Sequence, residues 1–151
     1  MYPFLLKDCH KKIGKHIAVD LLPMHPVKGA FIIAPADFTE KETQDKIREH
    51  LSGEFVDMIL SDMAPQATGI RQLDQDCILE LAFSVFRFAK LVGKEGSNLL
   101  VKLWSGGKVS DLEKNLKLHY ETVKILKPHS SRQDSAEIFL LACNFRKSIN
   151  L

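Results

Sequence analysis

Residues 56–65 read Val56-Asp57-Met58-Ile59-Leu60-Ser61-Asp62-Met63-Ala64-Pro65, and the reading of this stretch decides the fold. Residues 56–61 form an apolar, strand-like run that closes on an acid, Asp62. Downstream, residues 74–92 place Ile78, Leu81, Ala82, Val85, Phe86 and Ala89 at helical spacing. That period marks a helix covering one face of a sheet, and Gly93 is a natural stop. Residues 98–103 (NLLVKL) then read as the next strand. Working outward, residues 15–20 (KHIAVD) and 30–33 (AFII) read as short buried strands. Between them and residue 56, Thr39 can cap a helix running to about Leu51, with Glu40 and Glu42 favourably placed in its first turn. Toward the C-terminus follow a helix at 110–119, a strand at 123–126 and a last strand at 138–143. No repeat or low-complexity linker interrupts the series. The alternation predicts an α/β fold with an open, doubly wound sheet, in one domain over residues 1–151.

Composition adds bounds rather than a function. The chain has 151 residues, 45% of them hydrophobic and 26% charged, which suits one globular domain with a real core. A formal net charge of +2 permits nucleic acid without demanding it, because phosphate binding needs a local basic face. The three cysteines, Cys9, Cys77 and Cys143, are scattered and form no CxxC pair. They predict idle thiols in a reducing compartment, with neither a disulfide framework nor a metal site. No run reaches the roughly 18 apolar residues of a membrane helix. The N-terminus shows neither a signal-peptide core nor a transit peptide, so the chain reads as cytosolic or as already missing its leader.

Three ionisable residues sit where charge is costly. Asp62 follows one strand, Lys102 lies inside Leu99-Leu100-Val101-Lys102-Leu103-Trp104, and Glu137 opens Glu137-Ile138-Phe139-Leu140. A charged group at such a position must pair or do chemistry. Three of them on strand-like segments predict one site built across a sheet. The bland alternative is a strand lysine paired with Glu137 for structure alone. Asp20 and Asp37 also fall at or just after strand ends, where open α/β sheets bind ligands. A carboxylate there can accept from ribose hydroxyls (Asp20) or an adenine amino group (Asp37). Either acid can equally serve as a turn or cap residue.

With these residues in place, the chain resembles the FtsJ-type ribosomal RNA 2′-O-methyltransferases, in the form closest to their mitochondrial branch. The resemblance is carried by residues 19–24 (VDLLPM), 36–38 (ADF), 61–65 (SDMAP) with Gly69 and Asp74, Val101-Lys102, and Lys127-Pro128 followed by Ser130-Ser131-Arg132 and Glu137. It implies a Rossmann-like S-adenosylmethionine-dependent methyltransferase sheet and an enzyme acting on large-subunit rRNA or an assembling ribosome. Asp62, Lys102 and Glu137 match three members of a Lys-Asp-Lys-Glu catalytic tetrad. By resemblance Lys102 is the base for the ribose 2′-hydroxyl. A lysine serves so only where burial or a cationic neighbour lowers its pKa. Asp62 and Glu137 would position it. Asp20, Asp37, Asp62 and Tyr2 are the implied cofactor-binding residues, with no metal. The mitochondrial branch implies a mitochondrial location, with the cytoplasm as the alternative.

The family's first strand, its Gly-rich turn and the helix bearing the first tetrad lysine have no counterpart in these residues. The expectation is therefore an N-terminally incomplete methyltransferase domain. Arg71, Trp104, Lys127 and Arg132 are candidate RNA contacts, as are Lys108 and His129 in neighbouring loops. Basic residues would hold phosphates and Trp104 would stack on a base. For each of them a solvated surface or rim role competes. A non-catalytic RNA- or ribosome-binding module, or a shortened isoform, is the alternative function. A dinucleotide oxidoreductase is disfavoured by the absence of GxGxxG.

Overall fold

A computed structural model describes residues 14–106, 109–127 and 136–147. The chain divides into two compact units, Met1–Ile47 and Arg48–Leu151. In the first, β1 (His16–Val19) and β2 (Ala30–Ile33) pair in parallel, from His16 opposite Ala30 to Val19 opposite Ile33. Asp20 leaves this ladder, so the first strand is shorter than its apolar run suggested. Its backbone stays engaged: Asp20 N–H donates to the Ile33 carbonyl (3.3 Å), and Ala36 N–H donates to the Asp20 carbonyl (2.8 Å).

The helix α1 (Lys41–Leu51) opens without Thr39 as its cap. The Thr39 N–H and hydroxyl both donate to Asp37 Oδ1, each at 2.7 Å. The first helical bond runs instead from Gln44 N–H to the Glu40 carbonyl, at 3.2 Å. Glu42 keeps its expected place in the first turn and pairs with Lys46 at 2.7 Å, and Lys41 pairs with Asp45. Both pairs are one turn apart, the spacing at which helix side chains meet.

The second unit is a four-stranded sheet with two helices. Its strands are β3 (Val56–Ser61), β4 (Gly93–Trp104), β5 (Tyr120–Leu126) and β6 (Glu137–Phe145), in the spatial order β3-β4-β6-β5. Its helices are α2 (Arg71–Val92) and α3 (Val109–His119). β3 and β4 are parallel, whereas β6 runs antiparallel to both of its neighbours. It follows that β3, β4 and β5 all end at one edge of the sheet, the edge at which β6 begins. An acid after a strand (Asp62) and an acid at the start of a strand (Glu137) therefore share that edge.

Successive side chains alternate across the sheet. Leu99, Val101 and Leu103 of β4 and Ile138, Leu140 and Ala142 of β6 are buried, as are Ile78, Ala82, Val85 and Phe86 of α2 and Leu112 and Leu116 of α3. Leu79, Phe88 and Val92 widen the buried face of α2 beyond the expected stripe. Tyr120 and Phe145 close the far end of this core with ring centroids 5.2 Å apart, and burial pushes the Tyr120 phenol up to about 12. On the other face of β4 the alternate residues, Leu100, Lys102 and Trp104 among them, are half-buried.

Of the boundaries that moved, two have local reasons. α2 begins at Arg71, a turn before Asp74, and β4 begins at Gly93 instead of Asn98. Val56 pairs with Gly93 and Met58 with Asn98, so two steps on β3 face five on β4. The surplus contains Gly96 at φ +80, where the ladder bulges. Gly93 does stop α2, in extended geometry (φ −67, ψ 137) rather than the left-handed form. A Cβ there would lie 2.6 Å from the Ala89 carbonyl oxygen, so close backbone approach is what excludes a side chain.

Candidate active site

Lys102 projects from β4 two residues before its end, on the face opposite the buried Val101 and Leu103. Its side chain is 13% exposed, against 74% for Asp62 and 34% for Glu137. The ammonium is thus the sheltered member of the group and the carboxylates are its rim. Lys102 Nζ lies 2.7 Å from Asp62 Oδ1 and 3.9 Å from Glu137 Oε2. The first is a charge-assisted hydrogen bond and the second an ion pair without close contact. The expected triad is therefore assembled. What the arrangement offers chemically is one nitrogen, held by a carboxylate and open toward solvent along the exposed Asp62 side.

The sheet explains the convergence. Ser61 of β3 pairs with Val101, which sets Asp62 beside Lys102. Lys102 pairs with Phe139 and Trp104 with Glu137, so Trp104 and Glu137 share the Lys102 face of β4 and β6. Trp104 is half-buried, and Arg71, the first residue of α2, is exposed. Lys127 directly follows β5 at the same edge of the sheet and is exposed. Tyr2, Lys108, His129 and Arg132 lie outside the described residues.

Two consecutive residues near the start of α2 brace this edge. Asp74 is buried and accepts from Thr68 N–H (2.8 Å), the Thr68 hydroxyl (2.6 Å) and Gly69 N–H (3.2 Å). Asp74 thereby fixes the loop that carries Asp62. The hydroxyl and amide bonds from Thr68 hold its carboxyl below the usual value of 3.8. Because the folded pKa is the lower one, the stabilisation is complete above the unfolded value and is lost as pH falls through the folded value. Melts of the parent chain and Asp74→Asn from about pH 2 to pH 7 should differ most at the upper end and converge in acid. A constant difference across that range would show that the carboxylate contributes no charge-dependent stability. The second brace, Gln75, donates from Nε2 to the Ser105 carbonyl at 3.0 Å. No sequence signal marked Gln75, because its partner is thirty positions away.

In the first unit, Asp20 and Asp37 stand at the carboxyl ends of the parallel pair, as expected. Asp20 uses Oδ1 to accept from Leu22 N–H at 2.8 Å and is exposed. The Thr39 hydroxyl and amide keep the Asp37 carboxyl below its ordinary range. Both are therefore acceptors suited to hydroxyl or amino donors. Among the described residues no cluster of three or more His, Cys, Asp or Glu could hold a metal ion. No described helix is long and apolar enough to cross a membrane.

Comparison with known proteins gives a consistent picture. The model of the FtsJ-like methyltransferase family matches residues 4–145. The chain is 46% identical over 133 residues to rRNA methyltransferase 2, mitochondrial, of Drosophila melanogaster, covering 88% of this chain and 53% of that protein. It is 41% identical over 133 residues to ribosomal RNA large subunit methyltransferase E of Rhodopseudomonas palustris, covering 88% and 56%. The chain thus spans about half the length of the curated relatives it matches. A solved Plasmodium falciparum structure described as a ribosomal RNA methyltransferase superposes with a TM-score of 0.76 at 26% identity, over 86% of this chain and 71% of that one.

Proposed function

Because the chain belongs to the FtsJ-like methyltransferase family, we propose that it serves S-adenosylmethionine-dependent 2′-O-methylation of a ribose in large-subunit rRNA. The observation that carries this reading is the Lys102 amine held at 2.7 Å by Asp62 and flanked by Glu137 at one edge of the sheet. In its deprotonated form Lys102 accepts the proton of the ribose hydroxyl at Nζ. The oxygen then becomes nucleophilic as the proton leaves. Asp62 and Glu137 orient the amine and stabilise the ammonium that forms. Much of the acceleration in such a transfer comes from alignment rather than from proton affinity alone. S-adenosylmethionine, when bound, supplies a methyl group on a positively charged sulfur. Its donor groups fit Asp20, whose carboxylate suits ribose hydroxyls, and Asp37, a deprotonated acceptor suited to an amino group. The mitochondrial name of the Drosophila relative supports a mitochondrial site of action, and both curated names support rRNA as the substrate.

Thermal melting of the chain with and without S-adenosylmethionine tests this reading. At a hundredfold excess over Kd, a ligand specific for the folded state raises Tm by roughly 5–10 °C in a chain of this size. Asp20→Ala should shrink that rise at equal ligand concentration. A cooperative melt that ignores the ligand contradicts the cofactor assignment and favours a non-catalytic RNA-binding module. An unchanged rise in Asp20→Ala removes Asp20 from the site.

A further inference from the structure

The two braces near the start of α2 act on different loops at the same edge. Asp74 holds residues 68 and 69, in the loop between β3 and α2. Gln75, the next residue, holds Ser105, the first residue after β4. The backbone at Ser105 is pinned from two sides, because its N–H donates to the Ala136 carbonyl at 2.6 Å while its own carbonyl accepts from Gln75. The adjoining Gly106 has φ +108, and a Cβ there would fall 2.7 Å from Gln75 Nε2. The chain thus turns away from the sheet directly against the Gln75 amide. Immediately before Ser105 stands Trp104, in register with Glu137 and on the Lys102 face.

From this juxtaposition we infer that Gln75 is a positioning residue for the RNA substrate. By fixing the Ser105 carbonyl, it sets the indole of Trp104 as a stacking surface for a base beside the Lys102 site. The inference rests on the RNA reading above. Its physical content is separate, however: a side-chain amide restrains the end of β4, and that restraint decides where an aromatic ring sits. Stacking on an aromatic ring tolerates any base, so the effect of Gln75 is read as affinity for single-stranded RNA.

Trp104 is the single tryptophan of the chain, so its fluorescence reports on this loop directly. The experiment compares the parent with Gln75→Leu, which keeps bulk without a donor, and Gln75→Glu, which sets an acceptor against the Ser105 carbonyl. Gln75→Lys restores a donor. Acrylamide quenching of Trp104 and titration with a short single-stranded oligoribonucleotide are read on each, at a temperature well below every melting transition. Gln75→Leu and Gln75→Glu should raise the quenching constant and weaken oligoribonucleotide binding about two- to tenfold, the range that one such hydrogen bond spans. Gln75→Lys should recover part of both. Unchanged quenching in Gln75→Leu and Gln75→Glu overturns the restraint. Increased quenching with unaltered RNA affinity overturns the positioning role. Failure of the parent itself to bind the oligoribonucleotide counts against the functional reading, while the quenching comparison still decides whether Gln75 restrains Trp104.

Discussion

Lys102→Ala is expected to lower methyl transfer by about 10²–10⁴-fold, the usual contribution of a positioned general base. The amine it removes is the group that pairs with both Asp62 and Glu137. Two controls isolate the chemistry from the fold. Lys102→Met keeps the stem that packs along the sheet and should be as inactive as the alanine variant. Lys102→Arg keeps the positive charge between the carboxylates but cannot accept a proton, because a guanidinium stays protonated. It too should be inactive, with a melt close to the parent. On the proposed function cofactor affinity should largely hold, because the proposed acceptors Asp20 and Asp37 are untouched. Transfer by Lys102→Ala within a fewfold of the parent would remove the base from its assigned role.

The second large effect is on stability. Leu140→Ala should cost about 2–5 kcal/mol, the span for a truncated core leucine. Leu140 has no exposed surface and lies at the middle of β6, opposite Val101 on one side and Ile125 on the other. Its side chain faces the layer filled by α2 and α3, so the cavity has little room to collapse. With total stability of about 5–15 kcal/mol typical of natural domains, the variant stands near the threshold of folding. Denaturant titration followed through Trp104 would measure the loss. A change under about 1 kcal/mol would mean that β6 is not packed as described.

How much of this was legible in the sequence depended on the range of the interaction. The buried face of α2 could be read because its period is local, and Ile78, Ala82, Val85, Phe86 and Ala89 are all buried. The two short strands β2 and β3 kept their expected bounds, β2 lying between Gly29 and the Ala34-Pro35 step and β3 ending just before Asp62. The meeting of Asp62, Lys102 and Glu137 was expected because each lies on or beside an apolar strand; the structure brings them together, although only Lys102 is sheltered and Asp62 is exposed. The direction of β6 was not legible, because a strand's alternation is the same read either way. Only the antiparallel insertion of β6 between β4 and β5 explains why Glu137 contributes from the start of its strand. Thr39 failed as a cap because it stands two residues before the first helical residue, Lys41, in a turn where its amide and hydroxyl both donate to Asp37. Gln75 was invisible because nothing local distinguishes a glutamine that reaches a carbonyl in another loop.

On the proposed function, Lys102 activates a ribose hydroxyl and not a base nitrogen or carbon. The most direct measurement is to supply S-adenosylmethionine labelled in its methyl group, together with large-subunit ribosomal RNA, and to identify the labelled nucleoside after complete digestion. The account predicts label in a 2′-O-methylnucleoside, present with the parent chain and absent with Lys102→Ala. Label on a nucleobase, or 2′-O-methylation that survives the loss of Lys102, would contradict it.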